Sequence, residues 1–432
     1  MRVGKRRLDA VIAAGAIGVL SGGVIAADVT ATPTRAAAAV SPGVVRPAAL
    51  GAAATPQLLA ASSTSTIDPT LTAVIRDKLS HATAAGYGVV VDIAGRGRVV
   101  SVHPNSRIRP ASTQKLFTTL PLLLANPDRR LVTEVDAHGP IVNGVLQGNL
   151  IVKSSGDPSL LLKNLSGLAR QVHESGVHKV TGELRLDIGS LSLATTHYGW
   201  QPDSVPYDVG PLSPFPVRED ILSRSTSYLR HPTQGNLAVF RHRLADAGIT
   251  IKGGDRIVRD SSSTRVLATH RSATMSALIR HTLLESDNLY AESLLNIEGR
   301  WRVNRLINDA GVADTYATDG SGLSYDDYES ARGEVKLLHY AAGSPAADVL
   351  VASLPVGCRS GTLIDRFCDT IGAGMVWAKT GTLRYNRALS GYTYDGLGRR
   401  VTFSILTYGV NNLTYAAHAI DRAVLVMRRY KG

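Results

Sequence analysis

The sequence predicts a mixed α/β (α+β) protein in which one motif-bearing domain is interrupted by an inserted, β-containing region. Three observations indicate this organisation. Short apolar runs typical of strands lie near both ends of the chain, at 87–93, 98–103, 376–378, 390–395 and 401–408. Helical apolar periodicity occurs at 275–295, and a last helix is predicted at 415–429. Between these segments, residues 180–265 combine six prolines with short apolar runs, which favours an irregular insertion over a repeat.

The N-terminal residues have the pattern of an export signal. A basic start precedes an apolar run at 10–27 and is formed by Arg2, Lys5, Arg6 and Arg7. Small residues at 36–39 offer a cleavage site, but the run is also of borderline length for a membrane anchor. Residues 1–40 are therefore predicted to be either a signal peptide or an N-terminal anchor. We expect an exported, extracytoplasmic protein of the cell wall, secreted or anchored by this segment.

The rest of the chain divides into a linker, a split domain and an insert. Residues 41–66 are rich in Ala, Ser, Thr and Pro and are predicted to be a linker. We assign residues 67–140 and 266–432 to the motif-bearing domain, and residues 141–265 to the inserted domain or domains.

The chain is basic, with a net charge of +12 from 47 basic and 35 acidic side chains. In an exported protein this charge suits anionic wall polymers or a membrane surface, and a role in solubility alone is the alternative. Nucleic acid is not an expected partner, because the sequence contains no basic stripe with interleaved aromatic residues.

Two cysteines, Cys358 and Cys368, are expected to pair in an oxidising compartment and to close a short loop. We expect no metal and no cofactor. The nearest histidine pair, His173 and His178, is one residue too far apart for the HExxH zinc motif.

The first chemical motif is Ser-Thr-Gln-Lys at 112–115. Ser112 and Lys115 are three residues apart, so a helix beginning near Ser112 would place both on one face. Ser112 is the predicted nucleophile and Lys115 its base, which requires the lysine pKa to fall from about 10.4 toward neutrality. Burial and a neighbouring cation both produce such a fall, and Lys379 is the expected cation. A single SxxK pattern arises by chance in a chain of this length, so its weight comes from two further motifs.

The second motif is Ser-Asp-Asn at 286–288. Ser286 is predicted to relay a proton between Lys115 and the leaving amine. Asn288 is predicted to orient Lys115 and the substrate amide. A simple helix N-cap at Ser286 is the structural alternative.

The third motif is Lys-Thr-Gly-Thr at 379–382, which follows an apolar run that predicts a strand. We expect a terminal carboxylate to be bound by Lys379, Thr380 and Thr382. Gly381 is expected to leave room for a substrate backbone along the strand. A solvent-exposed lysine on an edge strand is the alternative. The similar tetrapeptide Arg-Ser-Gly-Thr at 359–362 is set aside, because it lies within the cysteine loop and has no predicted strand before it.

As a set, these motifs resemble those of class C low-molecular-mass penicillin-binding proteins, the D-alanyl-D-alanine carboxypeptidase/endopeptidase group of peptidase family S13. The resemblance covers about 68–430, and its matching phrases lie at 111–115, 286–292, 319–324, 361–363 and 379–383. It implies a serine β-lactamase/penicillin-binding-protein transpeptidase fold, in which an antiparallel sheet flanked by helices lies beside a helical lobe. It also implies an oxyanion hole made by the backbone N–H groups of Ser112 and Thr382. Pro121, inside a predicted helix, and a poor match near 217–220 depart from the family pattern.

Two further stretches are interpreted structurally. Residues 292–296 have the letters of the ExxLN box that positions water in class A β-lactamases, but they share a predicted helix with Ser286. We therefore expect helix surface and core there rather than a separate loop. Residues 319–323 predict a tight turn, where Ser321 either lines the cleft or is purely structural.

The sequence thus predicts a serine D-alanyl-D-alanine carboxypeptidase. It would act on peptidoglycan stem peptides through an acyl-enzyme, would be acylated by penicillin and other β-lactams, and leaves endopeptidase activity open. One alternative is a β-lactamase or esterase-type hydrolase on the same fold, which the lack of a separate water-activating loop disfavours. Another is a non-catalytic wall-binding or β-lactam-sensing module, which the intact motifs disfavour.

Overall fold

A computed structural model describes residues 66–83, 85–217, 231–259, 261–263, 265–312 and 315–432. The predicted signal peptide or anchor, and the linker up to residue 65, lie outside these described residues. Along the described ranges, no helix combines the length and apolar character needed to cross a bilayer.

The described chain alternates helices and strands, and the predicted α+β class is confirmed. The helices are α1 (Pro69–Ser80), α2 (Lys115–Ala125), α3 (Leu162–Glu174), α4 (Ser204–Tyr207), α5 (Pro232–Asp246), α6 (Met275–Leu284), α7 (Asn288–Glu298), α8 (Arg300–Asp309), α9 (Ala331–Ala342), α10 (Ala347–Ser353) and α11 (Leu413–Arg429). The strands are β1 (Gly86–Ile93), β2 (Gly97–Val102), β3 (Arg130–His138), β4 (Ile141–Val142), β5 (Val145–Leu146), β6 (Asn149–Lys153), β7 (Lys179–Val180), β8 (Leu184–Asp187), β9 (Thr250–Ile251), β10 (Asp255–Val258), β11 (Arg265–Thr274), β12 (Val376–Leu383), β13 (Asn386–Tyr394) and β14 (Arg400–Tyr408).

Both ends of the described chain build one antiparallel sheet, in the order β12-β13-β14-β1-β2. Its apolar residues alternate between two covered faces. On one face α1 and α11 pack through Leu79 and Ile420 into the core that contains Phe403. On the other face, Val335 of α9 packs against Val90 of β1. The strand β1, early in the chain, therefore needs β14, from near its end, to complete the sheet.

A helical lobe lies beside this sheet. Apolar side chains of α2, α6, α7 and α9 share a second core, which includes Phe117, Ile279, Leu294 and Leu338. Pro121 lies inside α2, and the helix continues beyond it to Ala125. The departure noted at Pro121 therefore does not end the helix that follows Ser112.

A second sheet, ordered β10-β8-β6-β3-β11, lies between the first two motifs in the sequence. It is mixed, because β6, β8 and β10 run parallel while β3 is antiparallel to both β6 and β11. Helices α3 and α5 cover it through Leu168 and Phe240. Its first strand in the sequence begins at Arg130 and its last ends at Thr274, so the sheet extends past both limits of the predicted insert at 141–265. The domain division itself stays a prediction.

Candidate active site

Ser112 lies in a 3₁₀ turn, Ala111–Gln114, immediately before α2. The helix therefore begins at Lys115 rather than near Ser112 as the sequence predicts. Ala111 has a φ of 54°, a left-handed conformation that is costly for a residue with a Cβ. Such strain is typical of sites where the backbone must present one side chain, and here that side chain is Ser112.

Lys115 is completely buried, and its ammonium makes three hydrogen bonds. Its Nζ donates to Ser112 Oγ at 3.0 Å, to Asn288 Oδ1 at 2.6 Å and to the Ser321 carbonyl at 2.8 Å. The oxygens of Asn288 and Ser321 can only accept, whereas a serine hydroxyl can also donate. When Lys115 loses a proton, its lone pair must therefore face Ser112, which is the geometry required of a base.

Burial lowers the pKa of Lys115 to about 8, and the negative charges of Asp319, Glu292 and Asp287 oppose that fall. The sequence predicts two causes for this fall, burial and the charge of Lys379, and of these burial is the one that lowers the pKa of Lys115. In the structure, burial and then the charge of Lys115 hold the pKa of Lys379 well below its usual value. Removal from water is thus the main source of reactivity in both amines.

Ser286 connects the second motif to the third. Lys379 Nζ donates to Ser286 Oγ at 2.8 Å and to the Thr380 carbonyl at 2.9 Å. Ser286 has a φ of 58°, and Asp287 rather than Ser286 is the N-cap of α7, through a bond from the Tyr290 N–H. The structural alternative for Ser286, a simple helix cap, is therefore wrong.

Strand β12 carries Lys379, Thr380, Gly381 and Thr382 at one side of the first sheet, where β13 is its sheet neighbour. Lys379 is completely buried, which excludes the alternative of a solvent-exposed edge lysine. A Cβ on Gly381 would lie 2.5 Å from the Pro110 carbonyl oxygen. This glycine therefore allows the turn that carries Ser112 to approach β12, a role different from the predicted room for substrate.

A cavity of about 390 Å³ opens where these elements meet. The three motifs contribute to its wall Ser112, Ser286, Thr380 and Thr382. Sequence reasoning did not select its other lining residues, Thr362, Arg366, Arg387 and Ala417. The volume lies within the range of small-ligand sites.

Thr362 comes from the tetrapeptide at 359–362 that the sequence analysis set aside. Its hydroxyl lies 2.7 Å from the hydroxyl of Thr380. The segment that carries it is closed by a disulfide between Cys358 and Cys368, as predicted. The tetrapeptide at 359–362 therefore does not replace the motif at 379–382, but its Thr362 lines the same cavity. The sequence signal that could have identified Thr362 is the match of residues 361–363 to the family pattern.

Buried carboxylates hold the turn that faces Lys115. Glu292 accepts hydrogen bonds from the Ser321 N–H at 2.8 Å and from the Gly320 N–H, and it also contacts His197 at 3.0 Å. Asp319 accepts bonds from the Gly322 N–H at 2.7 Å and from Trp200 Nε1 at 2.7 Å. Residues 292–296 therefore lie on α7, and Glu292 is part of the buried core. The carbonyl of Ser321, rather than its hydroxyl, reaches Lys115.

The region between the first two motifs also contacts the site. The Asn288 side-chain amide donates to the Asp208 carbonyl at 2.9 Å while its oxygen accepts from Lys115. Among the residues that the structure describes, no group of three or more His, Cys, Asp or Glu side chains could hold a metal ion.

Comparisons with known proteins identify the family of this chain. The family model described as the D-Ala-D-Ala carboxypeptidase 3 (S13) family matches residues 70–228 and 220–429. The chain is 27% identical to a D-alanyl-D-alanine carboxypeptidase of Actinomadura sp. (strain R39), over 78% of this chain and 80% of that protein. It is 28% identical to carboxypeptidase DacB of Mycolicibacterium smegmatis, over 74% of this chain and 75% of that protein.

Solved structures show the same fold. The crystal structure of penicillin-binding protein 4 (dacB) from Haemophilus influenzae has a TM-score of 0.75 at 20% identity, covering 83% of this chain and 99% of that chain. A predatory endopeptidase of Bdellovibrio bacteriovorus has a TM-score of 0.54 at 17% identity, covering 78% of this chain and 91% of that chain. The matched family segments contain all three motifs and nearly all of the described residues, and this chain belongs to the D-Ala-D-Ala carboxypeptidase 3 (S13) family.

Proposed function

We propose that this protein is a serine D-alanyl-D-alanine carboxypeptidase that cleaves peptidoglycan stem peptides through an acyl-enzyme at Ser112. The observation that carries the proposal is the contact of Lys115 with Ser112, a residue that lines a cavity together with Ser286, Thr380 and Thr382. Membership of a carboxypeptidase family supports the same activity. Its substrate lies in the cell wall, so the protein would act outside the cytoplasm.

In the acylation step, neutral Lys115 takes the proton of Ser112 while Ser112 Oγ attacks the carbonyl carbon of the penultimate D-alanine. The negative charge on the carbonyl oxygen would be held by the backbone N–H groups of Ser112 and Thr382, as the family resemblance implies. When the peptide bond breaks, the leaving D-alanine amine takes a proton. Ser286 can deliver it, because its hydroxyl is hydrogen-bonded to Lys379. The proton that Lys115 took from Ser112 then replaces the one that Ser286 gives up, so Lys115 is neutral again before the second step.

In the second step, water attacks the ester carbonyl, and Ser112 recovers its proton as the shortened peptide leaves. Lys115 is the base in this step too, because it is within hydrogen-bond distance of Ser112 Oγ. Glu292 is not available to activate water, because its carboxylate is buried and bound to backbone N–H groups. This disfavours the β-lactamase alternative, which needs rapid deacylation.

We expect the substrate to bind along the side of β12 that is not paired with β13, because β12 is an edge strand of the first sheet. An extended peptide can add to such an edge through main-chain hydrogen bonds. Its terminal carboxylate would then face the hydroxyls of Thr380 and Thr382, with the Lys379 amine beneath them. Cleavage of a cross-bridge needs the same steps with a larger leaving group, so endopeptidase activity is compatible with this mechanism.

The direct test compares wild-type protein with Ser112→Ala on a D-Ala-D-Ala pentapeptide. Wild type should release D-alanine and take up one labelled penicillin per chain by mass spectrometry, and Ser112→Ala should do neither. Ser80→Ala, at the exposed end of α1, is the control and should match wild type. Release of D-alanine or covalent penicillin uptake by Ser112→Ala would refute the proposal.

The lifetime of the penicillin adduct separates the alternatives. A peptidase of this kind should hold the adduct for hours, whereas loss within seconds would indicate a β-lactamase. Binding to wall sacculi without release of D-alanine would indicate a non-catalytic module. The predicted attraction to anionic wall polymers is measured separately, by the salt dependence of sacculus binding.

A further inference from the structure

Two arginines, Arg366 and Arg387, line the cavity that contains Ser112. Arg366 is neutralised, because its guanidinium donates to both carboxylate oxygens of Asp421, at distances of 2.5 to 3.2 Å. A bidentate pair of this kind leaves little charge for a ligand. Arg366 therefore differs from Arg387 in how much of its charge is available to a ligand.

The contacts of Arg387 are with neutral groups. Its Nε donates to the Leu413 carbonyl at 3.0 Å, and its Nη1 donates to the Thr382 hydroxyl. Among the described residues, no carboxylate forms an ion pair with Arg387, and Nη2 has no hydrogen-bond partner. Burial and the nearby charge of Arg366 lower its pKa, the charge of Asp421 opposes that fall, and the guanidinium stays protonated, as arginine does in proteins. A cation without an ion-pair partner of its own among the described residues thus lies half-buried in the wall of the cavity.

The sheet register fixes this cation beside the third motif. Arg387 on β13 lies directly opposite Thr382 on β12. Because the Thr382 hydroxyl accepts from Arg387, its own proton is free to donate toward the cavity. Thr362 and Thr380 share one hydrogen bond, so one of their two hydroxyl protons is likewise free. The cavity wall therefore presents a positive charge and two hydroxyl donors, which is the chemistry of a carboxylate site.

We propose that Arg387 is a further substrate-binding residue, which with Thr382 selects substrates whose leaving residue carries a free carboxylate next to the scissile amide nitrogen. The inference rests on the proposed function and narrows its substrate class. A terminal D-alanine meets the requirement. A cross-link meets it only when the residue that donates the leaving amine has that carboxylate unamidated.

The test uses two thioesters of an N-acylated D-alanine. One has thioglycolate as its leaving group and so carries a carboxylate, and the other has the neutral methyl ester of thioglycolate. Hydrolysis releases a thiol in both cases, so the ratio of the two kcat/KM values reports carboxylate recognition. The ratio is also independent of the fraction of protein that is folded.

Arg387→Gln should lower kcat/KM for the charged thioester about tenfold or more, mainly through KM, because a charge-assisted hydrogen bond is lost. It should change kcat/KM for the neutral thioester less than about twofold, because that substrate has no carboxylate for Arg387 to bind. Arg387→Lys should retain part of the ratio. Arg384→Gln is the matched control and should behave as wild type, because Arg384 lies over the Tyr385 ring and does not line the cavity.

An equal fall on both thioesters, or no fall on either, would overturn the inference and assign Arg387 a purely structural role. These results would leave the carboxypeptidase proposal intact, provided that wild type releases D-alanine from the pentapeptide. A wild type that hydrolyses neither the thioesters nor the pentapeptide rejects the proposed function, and this inference with it.

Discussion

Lys379 donates a 2.8 Å hydrogen bond to Ser286, which lies 93 residues earlier in the chain. The lysine is completely buried, and its second bond goes to the carbonyl of its own neighbour, Thr380. Ser286 is held in a left-handed backbone conformation at the start of α7. The amine and the hydroxyl are thus fixed from opposite sides, by a strand and by a helix, and we expect them to act as one unit.

The first prediction concerns this unit. Ser286→Ala and Lys379→Met should each lower kcat/KM on the pentapeptide roughly 10²- to 10⁴-fold, the range for loss of a positioned proton-transfer group. The double variant should lose little more than the worse single variant, because each change already breaks the same relay. Steady-state kinetics on the four proteins measures this coupling.

The matched comparison combines Ser286→Ala with Lys336→Met. Lys336 is an exposed lysine on α9 that donates to the Gly311 carbonyl. In this double variant the fold reductions in kcat/KM of the two single changes should multiply, as expected for distant sites. If the fold reductions of Ser286→Ala and Lys379→Met also multiply, Ser286 and Lys379 work independently.

The second prediction concerns the pH dependence of acylation. Because neutral Lys115 is the base and burial lowers its pKa to about 8, the acylation rate should rise as pH increases through about 8. Removing an anion near an ammonium disfavours the charged form, so Glu292→Gln should lower this pKa and shift the rise to lower pH. Rapid-mixing measurements with a fluorescent penicillin provide the profiles.

Glu298→Gln serves as the control for that shift. Glu298 is a second buried glutamate on α7, but it pairs with Arg302 and is not among the charges that act on Lys115. Its profile should coincide with that of wild type. If Glu292→Gln leaves the profile in place, another group must control the rise.

The local parts of the site could be predicted from the sequence, because the spacing of side chains within one turn or strand fixes their relative positions. The three-residue separation of Ser112 and Lys115 gives their contact even though the turn is 3₁₀ rather than α. The apolar runs at both ends of the chain likewise indicate the strands of the first sheet. These inferences need only backbone geometry and the pattern of apolar residues along the chain.

Long-range packing accounts for the rest. The role of Gly381 depends on a contact with the Pro110 carbonyl, far away in the sequence. Thr362 reaches the cavity only because the disulfide-closed loop packs beside β12. The limits of the second sheet depend on the pairing of β3 with β11, which no local pattern specifies. The dominance of burial over charge in the pKa of Lys115 requires the complete packing around it.

The third prediction concerns the disulfide. Cys358 and Cys368 are 10 residues apart, and a closed loop of this size restricts the unfolded chain. Replacing both by serine should lower the free energy of unfolding by roughly 2.5–3 kcal/mol on the loop-entropy estimate. The KM for the pentapeptide should also rise, because the loop carries Thr362 to the cavity. Urea denaturation and steady-state kinetics measure the two effects.

A reducing agent supplies the control for that experiment. Dithiothreitol should weaken wild type to the level of the Cys358→Ser/Cys368→Ser variant and should leave the variant unchanged. Wild type that is equally stable before and after complete reduction would show that the loop is held by its packing alone.

The fourth prediction concerns a buried acid behind the active-site turn. Burial, followed by the charge of Asp319 and a hydrogen bond with it, raises the pKa of Asp327 to about 9. Asp327 Oδ1 accepts from the Thr318 N–H at 2.6 Å and from the Thr318 hydroxyl at 2.7 Å. An asparagine can accept both bonds and donate to Asp319, so Asp327→Asn mimics the protonated acid.

The sign of the pH effect follows from proton binding. An aspartate in the unfolded chain loses its proton near pH 3.9, whereas folded Asp327 keeps it up to about 9. Between these values the folded state binds the extra proton, so the contribution of Asp327 to the free energy of unfolding falls as pH rises. Asp327→Asn removes this loss. In urea denaturation, the free energy of unfolding of the variant relative to that of wild type should therefore increase steadily from pH 5 to pH 8.5.

Asp326→Asn, at the exposed neighbouring position, is the control, and its free energy of unfolding should follow that of wild type at every pH. Parallel curves for Asp327→Asn and wild type would mean that Asp327 is ionised in the folded protein.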